Sequence, residues 1–403
     1  MDFQGLVSLA PQRSDATLSR LPQSAEIYCV GGAVRDCLLG ETALDRDYLV
    51  TGASPEQMSA AGFRPVGRDF PVFLHPVSQA EYALARTERK SGQGYKGFVF
   101  YTGPQVSLQE DLMRRDLRIN AMAVDSEGQL HDPLGGCEDL KQKTLRHISP
   151  AFREDPLRLL RLARFCARWP DFSVAEETFA LCQTMVADGE LRALVAERVW
   201  IELEKGLDAA APARMMAFIE SLGAWPELVS PIEAQARPDE ALFKLTEAKQ
   251  RSVPTPVLAG LLFSFWPAGR LEPALPKQVL DWRRLLASGL ARPAWLAKVN
   301  PIEMSEHPAQ TAAAIADWAD QADLYRRPER IEHLLAFADP TPITALALNM
   351  IRGLVALPVG EAAQRAASTK QSVPLAVRSH RLDWLTRQLQ GAHNGEGLPH
   401  RRV

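Results

Sequence analysis

The segment Val30-Gly31-Gly32-Ala33-Val34-Arg35-Asp36-Cys37-Leu38-Leu39-Gly40, followed by Leu44-Asp45-Arg46-Asp47-Tyr48-Leu49-Val50, constrains the fold more than any other stretch. The apolar run Ile27 to Val30 predicts a short strand. Two glycines then let the backbone turn tightly and approach a ligand closely. A helix opens at once and stops at Gly40 in a C-cap position. Such a helix start offers unpaired N–H donors and a positive dipole end to a phosphate. In a strand, Asp45 and Asp47 at i and i+2 share one face. Carboxylates so close repel each other and are tolerated when a cation sits between them. Mg²⁺ takes oxygen ligands and is commonly shared with substrate phosphates. Each motif alone is usually a plain turn or a solvated acidic pair. Together, with Arg35 in the first helical turn, they point to phosphoryl or nucleotidyl transfer.

Size and charge narrow the setting. A chain of 403 residues accommodates two to four domains and a sizeable core. The net charge of −3 excludes a uniformly basic nucleic-acid binder but leaves room for a local basic surface. The cysteines (Cys29, Cys37, Cys137, Cys166 and Cys182) show no C-x-x-C spacing, and their odd number argues against a disulfide framework. Buried thiols in a reducing compartment are expected. The start Met1-Asp2-Phe3-Gln4 lacks the basic and apolar features of a signal peptide. No stretch has the uninterrupted apolar length of a membrane span. A cytoplasmic protein with no membrane association is the expectation.

Residues 1–24, with Pro11, Pro22 and scattered serines, read as a loosely held extension. From Glu26 to about Arg146 the pattern is mixed α and β. Ser54-Pro55-Glu56 predicts a helix start. Glu81 to Arg86 predicts a further strand, with Glu81 a candidate third carboxylate at the metal site. The polar, basic, glycine-rich segment Thr87 to Gly97 has the composition of a mobile loop over a substrate. Arg114-Arg115-Asp116 stands ahead of an apolar run and reads as a surface salt-bridge knot or a clamp on a triphosphate, with Asp116 accepting a ribose hydroxyl. His131-Asp132-Pro133-Leu134-Gly135-Gly136 reads as a turn-rich link.

In Glu154 to Phe165, Pro156 suits the first turn of a helix and Asp155 its start. Arg158, Arg161 and Arg164 recur every third residue, so each neighbours the next on the helix surface. Six arginines against two acids between Arg146 and Arg168 exceed what a solvated face needs. Planar guanidinium donors suit bases and phosphates. Beyond about Ser173 the chain reads as helical, broken by proline-rich stretches. Its end, Arg378 to Val403, is modestly basic and compatible with an RNA-contacting surface.

The order Gly-Gly-x-Val-Arg-Asp, Asp-x-Asp, Arg-Arg-Asp-x-x-Ile-Asn-Ala-Met-Ala, Asp-Pro-x-Gly-Gly and Glu-Asp-x-x-Arg-x-x-Arg, over residues 27–168, resembles the bacterial class II tRNA nucleotidyltransferases, the CCA-adding enzymes, in their proteobacterial branch. The resemblance implies an α+β head with an antiparallel sheet, a nucleotidyltransferase palm, followed by an all-α neck, body and tail. The corresponding divisions are an N-terminal extension 1–24, a head 25–145, a neck 146–206 with the nucleotide-recognition helix, and a tRNA-binding body and tail 207–403. It implies template-independent transfer of CMP, CMP and AMP from CTP and ATP to the tRNA 3′ end, with release of pyrophosphate. Carried over, Asp45 and Asp47 hold Mg²⁺; Gly32 and Arg35 contact the triphosphate; Arg115 binds the nucleotide, with Asp116 near the ribose; and Asp155, Arg158, Arg161 and Arg164 recognise the base. No obligatory protein partner is implied.

Many relatives of this branch carry a further phosphohydrolase module with helical His and Asp metal ligands. Here the only His-Asp dipeptide is His131-Asp132, and residues 225–300 contain no histidine, so no metal-dependent phosphatase or phosphodiesterase activity is expected. Bacterial poly(A) polymerase shares the head, but its usual pair of basic residues between glycine and phenylalanine is replaced by Gly67-Arg68-Asp69-Phe70. A tRNA-holding protein with an inactive head would show a broken Asp-x-Asp, and both acids are present.

Overall fold

A computed structural model describes all residues except 13–14, 43–44, 67–71, 91–97, 230–237, 289–306, 338–341 and 394–403. The chain divides into two compact units, Met1–Glu233 with Gly269–Pro273 and Ala234–Ala268 with Ala274–Val403. The expected neck–body division at 206/207 falls inside the first unit.

The first unit opens on a mixed sheet. Strand β1 (Glu26–Val30) runs into helix α1 (Gly32–Leu38), and β2 (Asp47–Thr51) returns antiparallel beside β1. Helix α2 (Pro55–Ala60) follows, started by a capping box in which Ser54 accepts from the Gln57 N–H. Strands β3 (Arg64–Val66), β4 (Val72–Leu74), β5 (Glu81–Leu84), β8 (Ala123–Val124) and β9 (Leu130–His131) complete the order β3-β4-β5-β2-β1-β8-β9. The antiparallel sheet expected of the head is mixed at one pair: β2 and β5 are parallel, with Tyr48 opposite Tyr82. The chain reaches β5 by crossing over α2 and the β3–β4 hairpin, which brings it alongside β2 in the same direction.

The expected strand Glu81 to Arg86 is split at Ala85. Strand β6 (Arg86–Lys90) pairs with β7 (Phe98–Thr102) in a separate two-stranded sheet. Thr87–Lys90, read as loop, is therefore strand, while Ser91–Gly97 lies outside the described residues. So does the Gly67-Arg68-Asp69-Phe70 segment.

Alternation along the strands buries both faces of the sheet. Ile27, Val50, Phe73, Tyr82 and Leu84 pack on one side with Met58 of α2. Tyr28, Val30 and Leu49 pack on the other with Val106, Ala121 and Leu112 of helix α3 (Leu108–Met113). A central strand buried on two sides reads as a continuous apolar run, as Ile27 to Val30 does.

The described residues of 1–24 are not loosely held. Leu6 and Leu9 are each 2% exposed in a short 3-10 helix against α1, and Leu18 and Leu21 join the first core. The Arg46 guanidinium donates to the Ser8 carbonyl at 2.9 Å, fixing this segment beside the Asp-x-Asp stretch. Scattered serines and prolines obscured these four leucines, which are spaced without a helical period. Leu9→Ala should therefore cost about 2–5 kcal/mol, the usual range for a buried leucine. Urea unfolding checks this; a surface extension would give a change near zero.

Helix α4 (Gly136–Lys141) begins where Asp132 accepts from the Gly136 and Cys137 N–H groups, so the turn-rich link is a tightly bonded cap. Strand β10 (Thr144–Leu145) leads to helix α5 (Leu157–Arg168), the arginine-bearing helix. Strand β11 (Ser173–Val174), α6 (Glu176–Ala187), α7 (Ala196–Asp208), α8 (Pro212–Ser221) and α9 (Trp225–Val229) close this unit. Leu159, Leu162, Ala163 and Cys166 of α5 are at most 3% exposed, as their spacing predicted, and α5 packs on α7 and α8.

The second unit is helical among its described residues: α10 (Pro238–Gln250), α11 (Thr255–Phe265), α12 (Lys277–Ala287), α13 (Pro308–Gln321), α14 (Arg330–Leu335), α15 (Pro342–Val355), α16 (Gly360–Ser368) and α17 (Val373–His393). Arg378 of α17 pairs with Asp317 and Asp320 of α13, so part of the basic C-terminal charge is internally neutralised. Arg401 and Arg402 lie outside the described residues. Among the described residues no helix is long and apolar enough to cross a membrane.

Candidate active site

The Gly-Gly turn does what its residues require. Gly31 has φ +75° and ψ −126°, a backbone region open essentially to glycine. A Cβ there would also stand 2.7 Å from Nη1 of Arg115. Gly32 is the first residue of α1, and Gly40, at φ +74°, ends its C-terminal turn as expected. Arg35 is 5% exposed. Its guanidinium donates to Asp36 at 2.8 Å and to Asn120, and lies 5.3 Å from the Phe165 ring and 4.8 Å from the Trp169 ring. Burial lowers its pKa, opposed by Asp36.

Strand β2 starts at Asp47, so Asp45 lies just ahead of the strand rather than within it. The β2–β5 register stacks Tyr48 on Tyr82, their ring centroids 4.7 Å apart. Asp47 and Glu81, one residue earlier on parallel neighbours, consequently share the opposite face. The Asp47 carboxyl is pushed above the usual carboxylate range by burial; Arg115 opposes this, while Glu81 and Asp45 add to it. Among the described residues no three metal-ligating side chains gather closely enough to hold an ion by themselves. The charge that Glu81 and Asp45 add around Asp47 fits a hard divalent cation bound by one or two carboxylates and completed by substrate phosphates.

Behind this wall lies a buried acid that the sequence did not single out. Asp111 is fully buried and accepts from the Arg86 N–H at 3.3 Å, Arg114 at 3.0 Å and Arg115 at 3.3 Å. Burial alone would raise its pKa, but Arg114 and Arg115 override that and hold it low. Nε of Arg115 is buried without a hydrogen-bond partner.

Asp116 is 6% exposed and accepts from the Leu117 N–H, Asn120 Nδ2 and Arg161 Nε, each at 2.8 Å. Burial opposes its ionisation, yet Arg161 and Asn120 hold its carboxyl far below the usual carboxylate range. Asp116 thus orients Arg161.

The stepped arginines of α5 are all anchored. Arg158 donates to the carbonyls of Arg114 at 2.6 Å and Ala151 at 3.0 Å. Arg164 donates to Glu202 at 2.7 Å, and Asp155 accepts from Arg198 at 3.1 Å. Arg198 and Glu202 lie one turn apart on α7, so α7 braces both Asp155 and Arg164. Asp155 also accepts from the Leu157 N–H at the start of α5. A guanidinium has five N–H donors, so these bonds fix the side chains and still leave donors for a ligand.

One cavity of about 530 Å³ gathers most of these groups. Gly31, Gly32, Arg35, Asp47, Arg115, Asp116, Asp155, Arg158, Arg161 and Arg164 line it. Asp45 and Glu81 are not among its lining residues. Arg114, read with Arg115 and Asp116 as a salt-bridge knot or a clamp, also lines it. Arg86, Asn120 and Arg198 line it and were missed; of these only Asn120 had a signal, as part of the Arg-Arg-Asp-x-x-Ile-Asn motif.

Comparisons with known proteins point to one family. The family profile of the Poly A polymerase head domain matches residues 27–146. The CCA-adding enzyme of Bordetella bronchiseptica is 44% identical over 367 residues, covering 89% of this chain and 96% of that protein. The Multifunctional CCA protein of Leptothrix cholodnii is 49% identical over 330 residues, 75% of this chain and 78% of its own. The Bacillus stearothermophilus CCA-adding enzyme in complex with CTP shares the fold, with a TM-score of 0.65 at 24% identity over 98% of this chain and 93% of its own. The Thermotoga maritima CCA-adding enzyme complexed with tRNA gives a TM-score of 0.66 at 21% identity, over 98% of both chains. A turn and carboxylate strand facing an arginine helix, in a chain this similar to those relatives over nearly all its length, identify it as a member of the CCA-adding enzyme family.

Proposed function

We infer that this chain adds CMP, CMP and AMP from CTP and ATP to the 3′ end of tRNA, releasing pyrophosphate. The observation that carries the reading is one shared cavity, lined by Asp47, the Gly31-Gly32 turn, Asp155, Arg158 and Arg161 together. Nucleotidyl transfer requires a phosphate site and a base-reading surface within one nucleotide's length of each other, and this cavity supplies both.

Asp45 and Asp47 would hold a divalent cation, Mg²⁺ by the hardness of its ligands. A cation held there would supply Lewis acidity toward the attacking 3′-hydroxyl and positive charge toward the leaving pyrophosphate. Gly31 and Gly32 let the backbone approach the triphosphate, and Arg115, with one donor unsatisfied, contributes positive charge to it. Arg35 adds positive charge beneath the turn while bonded to Asp36 and Asn120. Asp116 acts on the nucleotide through Arg161 rather than through a free carboxylate.

Template-free choice of C and A needs side chains that read a base edge. Asp155 accepts from an exocyclic amino group, and Arg158 donates to a ring nitrogen or carbonyl. Arg161 and Arg164 fix the surrounding surface. The helical half from residue 207 onward is the tRNA-binding part in this reading, and the cytoplasm, where tRNA and both nucleotides meet, is the site of action. The described cysteines are unpaired thiols, in keeping with a reducing compartment.

Incubating tRNA lacking its three terminal nucleotides with CTP alone, ATP alone and both tests the reading. Two residues added with CTP and three with both support it. Long adenylate tails without CTP incorporation would instead make the protein a poly(A) polymerase.

A further inference from the structure

The stretch leading into the catalytic strand is tied to the far end of the recognition helix by a contact that sequence spacing does not reveal. Glu41 lies three residues beyond α1 and 127 residues before Arg168. One of its carboxylate oxygens accepts from Arg168 at 2.6 Å, and the other from the Trp169 indole N–H at 2.9 Å. Arg168 also reaches Asp36 at 3.0 Å, the residue that holds Arg35. The Trp169 ring, 6% exposed, takes Arg168 at 4.7 Å and Arg35 at 4.8 Å from its centroid. Phe165 stacks on it at 5.4 Å with an interplanar angle of 8°. Both oxygens of Glu41 are thus committed to the last turn of α5.

We propose that the Glu41–Arg168–Trp169 clasp is a positioning element for nucleotidyl transfer, registering the carboxylates of Asp45 and Asp47 against the nucleotide held by α5. The inference rests on the function given above. Asp45 is the fourth residue after Glu41, a span of at most roughly 14 Å, so fixing Glu41 limits where Asp45 can sit. At its other end the clasp holds Asp36, and through it Arg35 under the Gly-Gly turn. Glu41 itself does not line the cavity. Its removal therefore changes the alignment of reacting groups rather than the contacts that bind nucleotide. An ion pair as exposed as Glu41 with Arg168 adds little stability by itself, so the effect is read in rate.

The test uses the full chain in single-turnover CMP addition to tRNA, with Kd for CTP and tRNA and the melting temperature measured alongside. Glu41→Ala should slow the chemical step by about tenfold, because small misalignments of reacting groups are costly. Both Kd values should stay within about twofold of the unsubstituted protein, since no ligand contact is removed. Glu41→Gln, which still accepts from Trp169, should recover part of the rate. Trp169→Phe should slow the step alone and add little in the Glu41→Ala background, because the two share one interaction. An unchanged rate in Glu41→Ala, Kd values rising in step with the rate loss, or fully additive losses would overturn the proposal. A lower melting temperature with an unchanged rate per folded molecule would also overturn it. If the unsubstituted protein adds no nucleotide in the same assay, the function fails rather than the clasp.

Discussion

Asp47→Asn should slow single-turnover CMP addition by about 10³-fold or more, since a catalytic metal contributes several kcal/mol and each 1.36 kcal/mol is tenfold in rate. The side chain keeps its size and loses only its charge, so tRNA affinity should be nearly unchanged. The melting temperature in chelator should not fall. Asp47 is the acid whose ionisation burial, Glu81 and Asp45 oppose in the fold, so without a cation its charge is a liability. Activity and stability should consequently move in different directions, which general misfolding would not produce. Rapid-quench kinetics, filter binding and calorimetry on the same preparation check all three. A rate within tenfold of the unsubstituted enzyme would remove Asp47 from the metal site.

Arg158→Ala should act on choice instead. Its guanidinium is held by the Ala151 carbonyl and by the Arg114 carbonyl, which ties α5 to the Arg-Arg-Asp segment. A well-oriented bidentate contact to a base edge contributes about 1–3 kcal/mol of discrimination, or roughly 5- to 150-fold. Selection of CTP over UTP and of ATP over GTP should fall by that order as a ratio of kcat/KM values. Competition assays with mixed nucleotides read it directly. Unaltered selectivity with uniformly slower addition would make Arg158 a structural strut only.

How much of this was legible depended on whether the chemistry lay in one contiguous stretch. The Gly-Gly turn, the Asp-x-Asp pair, Arg-Arg-Asp and the stepped arginines are local patterns, and all but Asp45 of the residues chosen from them line one cavity. Glu81 could be offered as a candidate, but only the parallel register of β2 and β5 puts it on the same face as Asp47. A crossover connection is a property of topology, which local alternation does not encode.

The supporting residues were not legible for a related reason. Asp111 looks like any helix acid paired with arginines three and four residues on, and only the fold adds the Arg86 N–H, 25 positions away, and full burial. Glu202 pairs with Arg164 across 38 positions and Arg198 with Asp155 across 43, so neither has a sequence neighbour that betrays it. The N-terminal leucines failed differently: short 3-10 segments carry no 3.6-residue period, so their burial leaves no periodic trace. Much the same holds for α11, whose residues Val257 to Phe263 are all buried, giving a uniformly apolar helix with no face to read.

The central claim is that transfer and base choice are separate tasks of one cavity, the first belonging to the carboxylates and glycine turn and the second to the start of α5. The most direct measurement is the ratio of CMP to UMP added in a single turnover by the unsubstituted enzyme, Asp47→Glu and Arg158→Ala. Asp47→Glu keeps a carboxylate but displaces it, which should slow addition by about 10²-fold while leaving the ratio unchanged. Arg158→Ala should collapse the ratio. A ratio that falls equally in both variants, or in Asp47→Glu alone, would contradict the separation.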